Sequence, residues 1–591
     1  MDSHFRCLER PKNPFVKSLL PFFYILDSGG EPAKSNNEAM LVSSEELLDA
    51  LHRVTNIDKA ILEKLDQPQN TRILATRLYH YRWVRDDLAP LGELDSHSTK
   101  MAIEMFDFID DMFGSEYDEA DALFAKGLVT KFHLPKLFSQ NDLIVTMQRG
   151  EPCAYSLETF PEELDQEAIP LDCWAWRFDG QFWKFQTSFN VEVPSNLSQM
   201  PITDLSIYPL RYAVDDLRGQ LEDRGKTFWS LRNGNYVCCN NASLRKDLHA
   251  AKPRYMVDMV TFQELHAHED ETEAEEREYL DVETSEAEQP PDEDFLILLP
   301  ATVQGFGFHD KSWRLLNVTQ IEPLKWNKKA FDQLVLQSTK KEMIEALVKK
   351  HDSTNESMDV IEGKGNGLIL LLHGGPGTGK TLTAESVAEL TRRPLFRVTC
   401  GDVGTNADVV EEYLNSALYL GNVWRCVVLL DEADVFLEER TRQDLKRNAL
   451  VSVFLRTIEY YEGILILTSN RIGTFDEAFK SRVQLTVHYP TLKRKGRRRI
   501  WSNFITGLEN TTIKARISQL QDNIDELSQY ELNGREIRNT IQTAILLAQF
   551  RNKRLSLRHL KNVISVSEEF KQYLRDRYGD DEEYLQSSQV R

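Results

Sequence analysis

Residues 368–381 read LILLLHGGPGTGKT, and this stretch decides the fold of the C-terminal half. The apolar run 368–372 suits a buried parallel strand, and TLTAESVAEL from Thr381 onward suits a helix, so the glycines fall where strand hands over to helix. That is the P-loop arrangement: successive backbone N–H groups wrap phosphate, Lys380 reaches the β- and γ-phosphates, and the Thr381 hydroxyl ligates magnesium. A side chain at Gly374, Gly377 or Gly379 would block either the backbone dihedrals or the approach of phosphate. An ordinary glycine-rich turn does not account for Lys380-Thr381 at this spacing. Gly374, Gly375, Pro376, Gly377, Thr378, Gly379, Lys380, Thr381 and Leu382 are therefore the expected cradle for a nucleoside triphosphate.

A second signature, VVLLDEAD over residues 427–434, sets carboxylates at the end of another apolar strand. Open α/β sheets carry their chemistry at the carboxyl ends of strands. Asp431 is expected to hold Mg2+, mostly through water, and Glu432 to orient and deprotonate the water that attacks the γ-phosphate. The Asp-Glu pair points to hydrolysis, because a switch or kinase need not have a carboxylate after the aspartate. A third strand, ILILTS, ends in Asn470, whose carboxamide is suited to contact the γ-phosphate or the attacking water. Ser481-Arg482 then closes a helical segment before the next strand. An arginine there is either an arginine finger reaching a neighbouring subunit's nucleotide or a surface arginine near a helix C-terminus.

The surrounding chain has 591 residues, which suggests several domains. Its net charge of −22 argues against general nucleic-acid binding, which needs a basic surface. Seven cysteines without metal-type spacing read as reduced thiols, and no apolar run approaches the ~20 residues of a membrane-spanning helix. The expected location is intracellular, cytoplasmic in the first instance. The basic run KRKGRRR (493–499) is compatible with nuclear import, although a solvated face opening a helix suits it better.

Residues 1–42 are expected to be mostly disordered and 43–130 helical. Residues 131–330 carry short aromatic and β-branched runs bounded by Gly, Pro, Asn and Asp, which predicts a mainly antiparallel β-domain. Runs 227–231 and 295–299 are among its expected strands. The aromatic stretch CWAWRFDGQFWKF is read as a hairpin turning at Asp179-Gly180 rather than a base-stacking surface. Residues 266–294 are expected to be an acidic, disordered insert. Alternating strand and helix patterns over 331–490 predict an α/β ATPase domain with a parallel sheet flanked by helices. Helical patterns over 491–575 predict a small helical lid, and 576–591 a disordered tail.

GGPGTGKT, LLDEAD, LTSN, an arginine before the last strand and a helical lid together resemble the AAA+ superfamily. NALVSVFLRTIEYYEGILILTSNR, FDEAFKSRV and RRRIWSNFI resemble, more narrowly, AAA-domain ATPases common in filamentous fungi, which carry a β-rich region before the ATPase module. SIYPLRY, RGKTFWSL and WRLLNVTQIEPLKWNKKAF are similar to that region, so the resemblance spans roughly residues 130–575. It implies Walker A at residues 374–381, Walker B at Asp431 with catalytic Glu432, sensor 1 at Asn470 and an arginine finger at Arg482. Arg535 in LNGREIRN resembles a sensor-2 arginine, with Arg538 on roughly the same face as the alternative.

Two departures stand out. The arginine-finger segment is the short SRV rather than an RPGRF-like stretch. The place of the first pore loop, CGDVGTNAD, keeps a glycine in Asp402-Val403-Gly404 but has no aromatic, which weighs against threading of unfolded chains. The resemblance implies an ATP- and Mg2+-dependent ATPase acting as a homo-oligomeric ring, a hexamer, that remodels a protein partner or adaptor recruited by the N-terminal domain. The competing expectation is a nucleotide-gated ring scaffold with little translocation.

Overall fold

The computed structural model describes residues 22–25, 35, 39–42, 44, 46–47, 71–81, 96–158, 168–192, 199–214, 216–240, 252–266, 277–351, 367–399, 407–437, 445–470, 475, 477–509, 513 and 515–578. The chain divides into two compact units, Met1–Pro323 and Leu324–Arg591. Among the described residues no helix is long and apolar enough to cross a membrane.

The first unit is β-rich. One five-stranded antiparallel sheet has the order Ile207–Pro209, Leu143–Gln148, Glu151–Leu157, Ala168–Phe178, Phe182–Glu192. Its longest hairpin turns through Asp179-Gly180-Gln181, with Gly180 at φ 118°, so the expected turn lies where the sequence puts it. A second antiparallel sheet has the order Ser312–Asn317, Thr302–Gly307, Arg254–Val257, Asn235–Cys239, Ile321–Pro323. The expected helical segment is represented by Ser96–Phe124, while Phe22–Ile25, Ala39–Val42 and Thr71–Leu74 pair as a small sheet. Apart from Ser35, the rest of residues 1–42 lies outside the described residues.

Two expected strands are helices. Residues 227–231 end the helix Leu217–Leu231, and residues 295–297 belong to the helix Glu293–Ile297. A five-residue aromatic or β-branched run carries no usable period, so the longer pattern wins: Leu221, Arg224, Gly225, Phe228, Trp229 and Leu231 share one buried face. The two helices touch so closely at Gly225 that a Cβ there would stand 2.2 Å from the Leu296 carbonyl oxygen.

The acidic stretch also departs from expectation from residue 277 onward. Its acids act as helix caps: the Asp281 carboxylate accepts from the Thr284 N–H at 2.8 Å, and that of Asp292 from the Phe295 N–H at 2.6 Å. Arg232 donates to the carbonyls of Ser285 (3.2 Å) and Ala287 (2.6 Å), and the Trp229 indole N–H donates to that of Glu288 (3.3 Å). Residues 267–276 lie outside the described residues.

In the second unit, irregular turns over residues 331–337 precede the helix Ser338–His351. Five strands follow: β1 (Leu368–Gly374), β2 (Leu395–Thr399), β3 (Val427–Asp431), β4 (Ile464–Ser469) and β5 (Leu485–Tyr489). They pair in parallel in the order β2-β3-β4-β1-β5, with helices such as Lys380–Thr391 and Ala407–Val423 between them. β3 and β4 are buried along their whole length, which suits a parallel sheet covered on both faces.

The helices Arg494–Leu508, Ile517–Asp522, Ile524–Leu527, Gly534–Phe550 and Leu557–Tyr578 enclose a separate lid core around Trp501, Ile505, Leu527, Ile537 and Ile541. The basic run opens the first of these helices as an exposed face, with only Arg497 of its basic residues partly buried. Arg497 donates to the carbonyls of Ser528 (3.0 Å) and Leu492 (2.7 Å), Arg499 donates to that of Asp332 (3.2 Å), and Arg498 pairs with Asp525 at 3.2 Å.

Replacing Arg232 by Ala should therefore loosen residues 283–288 while leaving the two sheets intact. Hydrogen exchange is expected to speed up in that segment and to stay unchanged in residues 168–192.

Candidate functional site

β1, β3 and β4 lie next to one another, and their carboxyl ends bring the predicted residues together. β1 ends at Gly374 (φ 142°), and the loop passes through the left-handed region again at Gly377 (φ 69°) and Gly379 (φ 106°). Only glycine takes such angles freely. At Gly374 a Cβ would also meet the Tyr489 carbonyl oxygen at 2.2 Å. Gly379 caps the helix Lys380–Thr391, so the loop delivers a helix N-terminus, with its unpaired N–H groups, to the site. The Thr378 hydroxyl ties the loop by donating to the Gly375 carbonyl at 2.8 Å. Thr383 is bonded to the Tyr489 hydroxyl at 2.7 Å, and burial pushes that phenol up to about 12.

Lys380 is 6% exposed. Its Nζ donates to the carbonyls of Gly374 (2.8 Å) and Gly375 (2.9 Å) and to Asn470 Oδ1 (2.8 Å), uniting two residues far apart in sequence. Burial lowers the Lys380 pKa below its usual range, opposed by Asp431 and Asp434 and reinforced by the positive charge of Arg535. Arg538 exerts its influence on Glu385 instead. The positive charge of Arg535 thus acts on Lys380, and that of Arg538 on Glu385.

Asp431 is the hub, only 7% exposed. Thr468 Oγ1 donates to its Oδ1 at 2.5 Å, Arg397 Nη2 donates to its Oδ2 at 2.6 Å, and Thr381 Oγ1 lies 3.2 and 3.3 Å from the two oxygens. Glu432 is exposed and held at φ 58°, a conformation uncommon for a residue with a Cβ. Its N–H donates to Thr468 Oγ1 at 3.0 Å, and the next N–H, of Ala433, donates to the Thr468 carbonyl at 2.8 Å. The side chain of Thr468 therefore fixes both the carboxylate of Asp431 and the backbone turn at Glu432. Asp434 in turn accepts from the Ser469 hydroxyl at 2.5 Å.

The lid reaches the loop directly. The Gly534 N–H donates to the Gly377 carbonyl at 2.9 Å, and a Cβ on Gly377 would stand 2.4 Å from Asn533 Oδ1. Asn533 and Glu536 form a capping box that fixes this helix start, with bonds of 2.9 and 2.7 Å. Arg482 is turned onto its own chain, donating to the Ala478 carbonyl at 2.7 Å and the Glu459 carboxylate at 3.0 Å. Asp402-Val403-Gly404 lies outside the described residues.

Two contributors escaped the sequence reading, Arg397 and Thr468. Arg397 left a signal, a lone charge within the otherwise apolar β2. Thr468 left none, since a threonine near a strand end is unremarkable in sequence.

Residues 370–491 match the model of the ATPase family associated with various cellular activities (AAA), residues 492–581 that of the fungal AAA+ ATPase lid domain, and residues 119–214 a domain of unknown function, DUF7025. ATPase family AAA domain-containing protein 3B of Homo sapiens is 32% identical over 137 residues, covering 22% of this chain and 21% of that protein. The protein 3A homolog of Drosophila melanogaster is 32% identical over 136 residues, 22% of each. Lon protease of Salinispora arenicola (strain CNS-205) is 33% identical over 113 residues, 17% of this chain and 14% of that protein. The chain thus spans little more than a fifth of the length of the two AAA domain-containing relatives and 14% of Lon protease. The chain carries an AAA ATPase domain followed by a lid of the fungal AAA+ type, as the motifs led us to expect.

Substituting Thr468 by Val keeps the shape and removes both hydroxyl bonds. It should lower the stability of the Leu324–Arg591 unit by about 1–3 kcal/mol, read from the urea midpoint. Thr468→Ser should recover most of the loss.

Proposed function

We propose that this chain is a Mg2+-dependent ATPase that works as a ring-forming homo-oligomer, a hexamer, and couples ATP hydrolysis to remodelling of a protein partner or adaptor recruited through its β-rich N-terminal region. The observation that carries the reading is the convergence of Lys380, Thr381, Asp431 and Asn470 within hydrogen-bond reach, with Glu432 next in line on the strained turn. The relatives' printed names, as ATPases of the AAA family, support the same reaction class.

The donor set suits magnesium, a hard cation that prefers a hydroxyl, one or two carboxylates and water. Thr381 Oγ1 and the Asp431 carboxylate already face each other at 3.2 Å. Bound there, Mg2+ would neutralise charge that builds on the phosphate oxygens. The protein's own groups do the rest. Backbone N–H groups of residues 377–382 bind the phosphates at the helix N-terminus. Lys380 exchanges its bonds to Gly374, Gly375 and Asn470 for phosphate oxygens. Asn470, released by that exchange, orients the attacking water, and Glu432 accepts its proton.

Arg535 approaches from the lid, and the Gly377–Gly534 bond transmits movement of the loop to the helix Gly534–Phe550. Arg482 serves the neighbouring subunit's nucleotide after leaving Glu459. The site of action is intracellular, in the cytoplasm or, through the basic run 493–499, the nucleus.

A second reading is a nucleotide-gated ring scaffold with little substrate translocation. It is favoured by the lack of an aromatic in Asp402-Val403-Gly404. Phosphate release assayed beside light scattering separates the two, because the scaffold assembles with ATP without sustained release.

Glu432→Gln should bind ATP as the wild type does and lose turnover. Hydrolysis at the wild-type rate would remove Glu432 from the mechanism. Mixed rings of Arg482→Ala and Lys380→Ala subunits should regain part of the activity that each variant lacks alone. Absence of any recovery counts against action of Arg482 across an interface.

A further inference from the structure

We infer that Arg397 is a displaceable counter-ion for the Asp431 carboxylate, a positioning residue that sets how strongly nucleotide binding depends on Mg2+, and that Glu385 is its alternative partner. The inference rests on the nucleotide-site reading above.

Arg397 lies on β2, an edge strand of the sheet, in register with Leu429 and two residues before Thr399, which pairs with Asp431. Its guanidinium reaches across to Asp431 Oδ2 at 2.6 Å, a charge-assisted bond. The ends of this pair differ in exposure. The Asp431 side chain is 10% exposed and that of Arg397 is 50%. Two hydroxyls, from Thr381 and Thr468, also bond Asp431, but neither carries charge. A carboxylate so enclosed is costly without a neutralising partner, and Arg397 is the cation bonded to it.

That carboxylate is also the group expected to face Mg2+, which creates a competition. Two cations on one carboxylate repel, and the weaker hold yields. Thr381 and Thr468 are fixed by the helix and the strand that carry them, whereas Arg397 is half in water and can swing away. Glu385 offers it a place to go. It lies on the helix Lys380–Thr391, four residues beyond Thr381, and this helix packs against β2. Among the charges acting on the Glu385 carboxyl, Arg397 is the leading one, ahead of Arg538. The arginine thus has one carboxylate within bonding distance and a second within electrostatic reach. Before the metal arrives it shields Asp431 from the nucleotide phosphates. With a cation held at Asp431, Arg397 would pair with Glu385.

The test uses the full chain and a fluorescent ADP analogue, so that no turnover is needed. The dissociation constant is measured in EDTA and in saturating Mg2+, and the ratio of the two is the readout. Arg397→Gln should raise this ratio about tenfold, because bare Asp431 repels phosphate in EDTA while Mg2+ meets no competitor. Arg397→Lys should restore a ratio near the wild-type value. Glu385→Gln should lower the ratio, because Arg397 then stays on Asp431.

A structural role alone would weaken binding equally in both conditions, so an unchanged ratio in Arg397→Gln overturns the inference. If that variant fails to fold, Glu385→Gln decides: a lower ratio supports the inference and an unchanged ratio overturns it. If the wild type bound no nucleotide in either condition, the nucleotide-site reading would fall, and the inference with it. The two failures are therefore distinguishable.

Discussion

The second unit is organised around one buried charge. Asp431 sits at the carboxyl end of a fully buried strand, where an ionised carboxylate is stable only if its surroundings supply donors and a counter-charge. Those groups come from three directions: Thr468 from β4, Arg397 from β2 and Thr381 from the P-loop helix. The strand order places β3 between β2 and β4, so both neighbours of Asp431 in the sheet carry a partner for it. A different order would leave the carboxylate unsatisfied on one side. The topology and the electrostatics of the site are thus a single constraint, since the parallel register that aligns Thr399 with Asp431 also puts Arg397 within reach.

The lid belongs to the same constraint through its first contact. The bond from Gly534 to Gly377 joins a loop that needs three left-handed glycines to a helix start fixed by a reciprocal cap between Asn533 and Glu536. Both partners are stiff for local reasons, so displacement of one has to be met by the other rather than absorbed between them. Gly377 has a further reason to be glycine, because the Asn533 carboxamide occupies the space that a Cβ would need. The glycine pattern of the loop therefore encodes lid docking as well as phosphate approach.

The parts of this structure legible in sequence were those with long-range periodicity or a dedicated chemistry. The parallel sheet, the P-loop, the Asp431-Glu432 pair and the lid helices each announce themselves over eight residues or more. Residues 227–231 and 295–299 do not, because a short apolar run looks the same in a buried helix and a buried strand. The acidic stretch misleads for another reason. Its composition is that of a solvated segment, yet Asp281 and Asp292 sit at helix starts, where a carboxylate is favoured. Position within the fold, which composition does not carry, decides whether an acid repels or caps. Arg397 was readable only as an anomaly in β2. Its meaning depends on a strand pairing that no local pattern contains.

Arg482, which we propose serves a neighbouring subunit, is held on its own chain. Its guanidinium is divided between the Ala478 carbonyl and the Glu459 carboxylate, and its Nε is buried with no hydrogen-bond partner among the described residues. Such a group is only partly satisfied where it is. The Glu459 pair is about three-quarters shielded from water, with side chains 28% and 25% exposed, so it holds the arginine more firmly than a surface ion pair would. Any partner that draws Arg482 away must offer more than a carboxylate. A phosphate group does so, through greater charge and the two-pronged geometry that a guanidinium fork prefers. On the proposed role across a subunit interface, Arg482 would leave Glu459 only when a charged phosphate chain lies within reach, and a subunit beside an empty neighbour would keep its arginine in place.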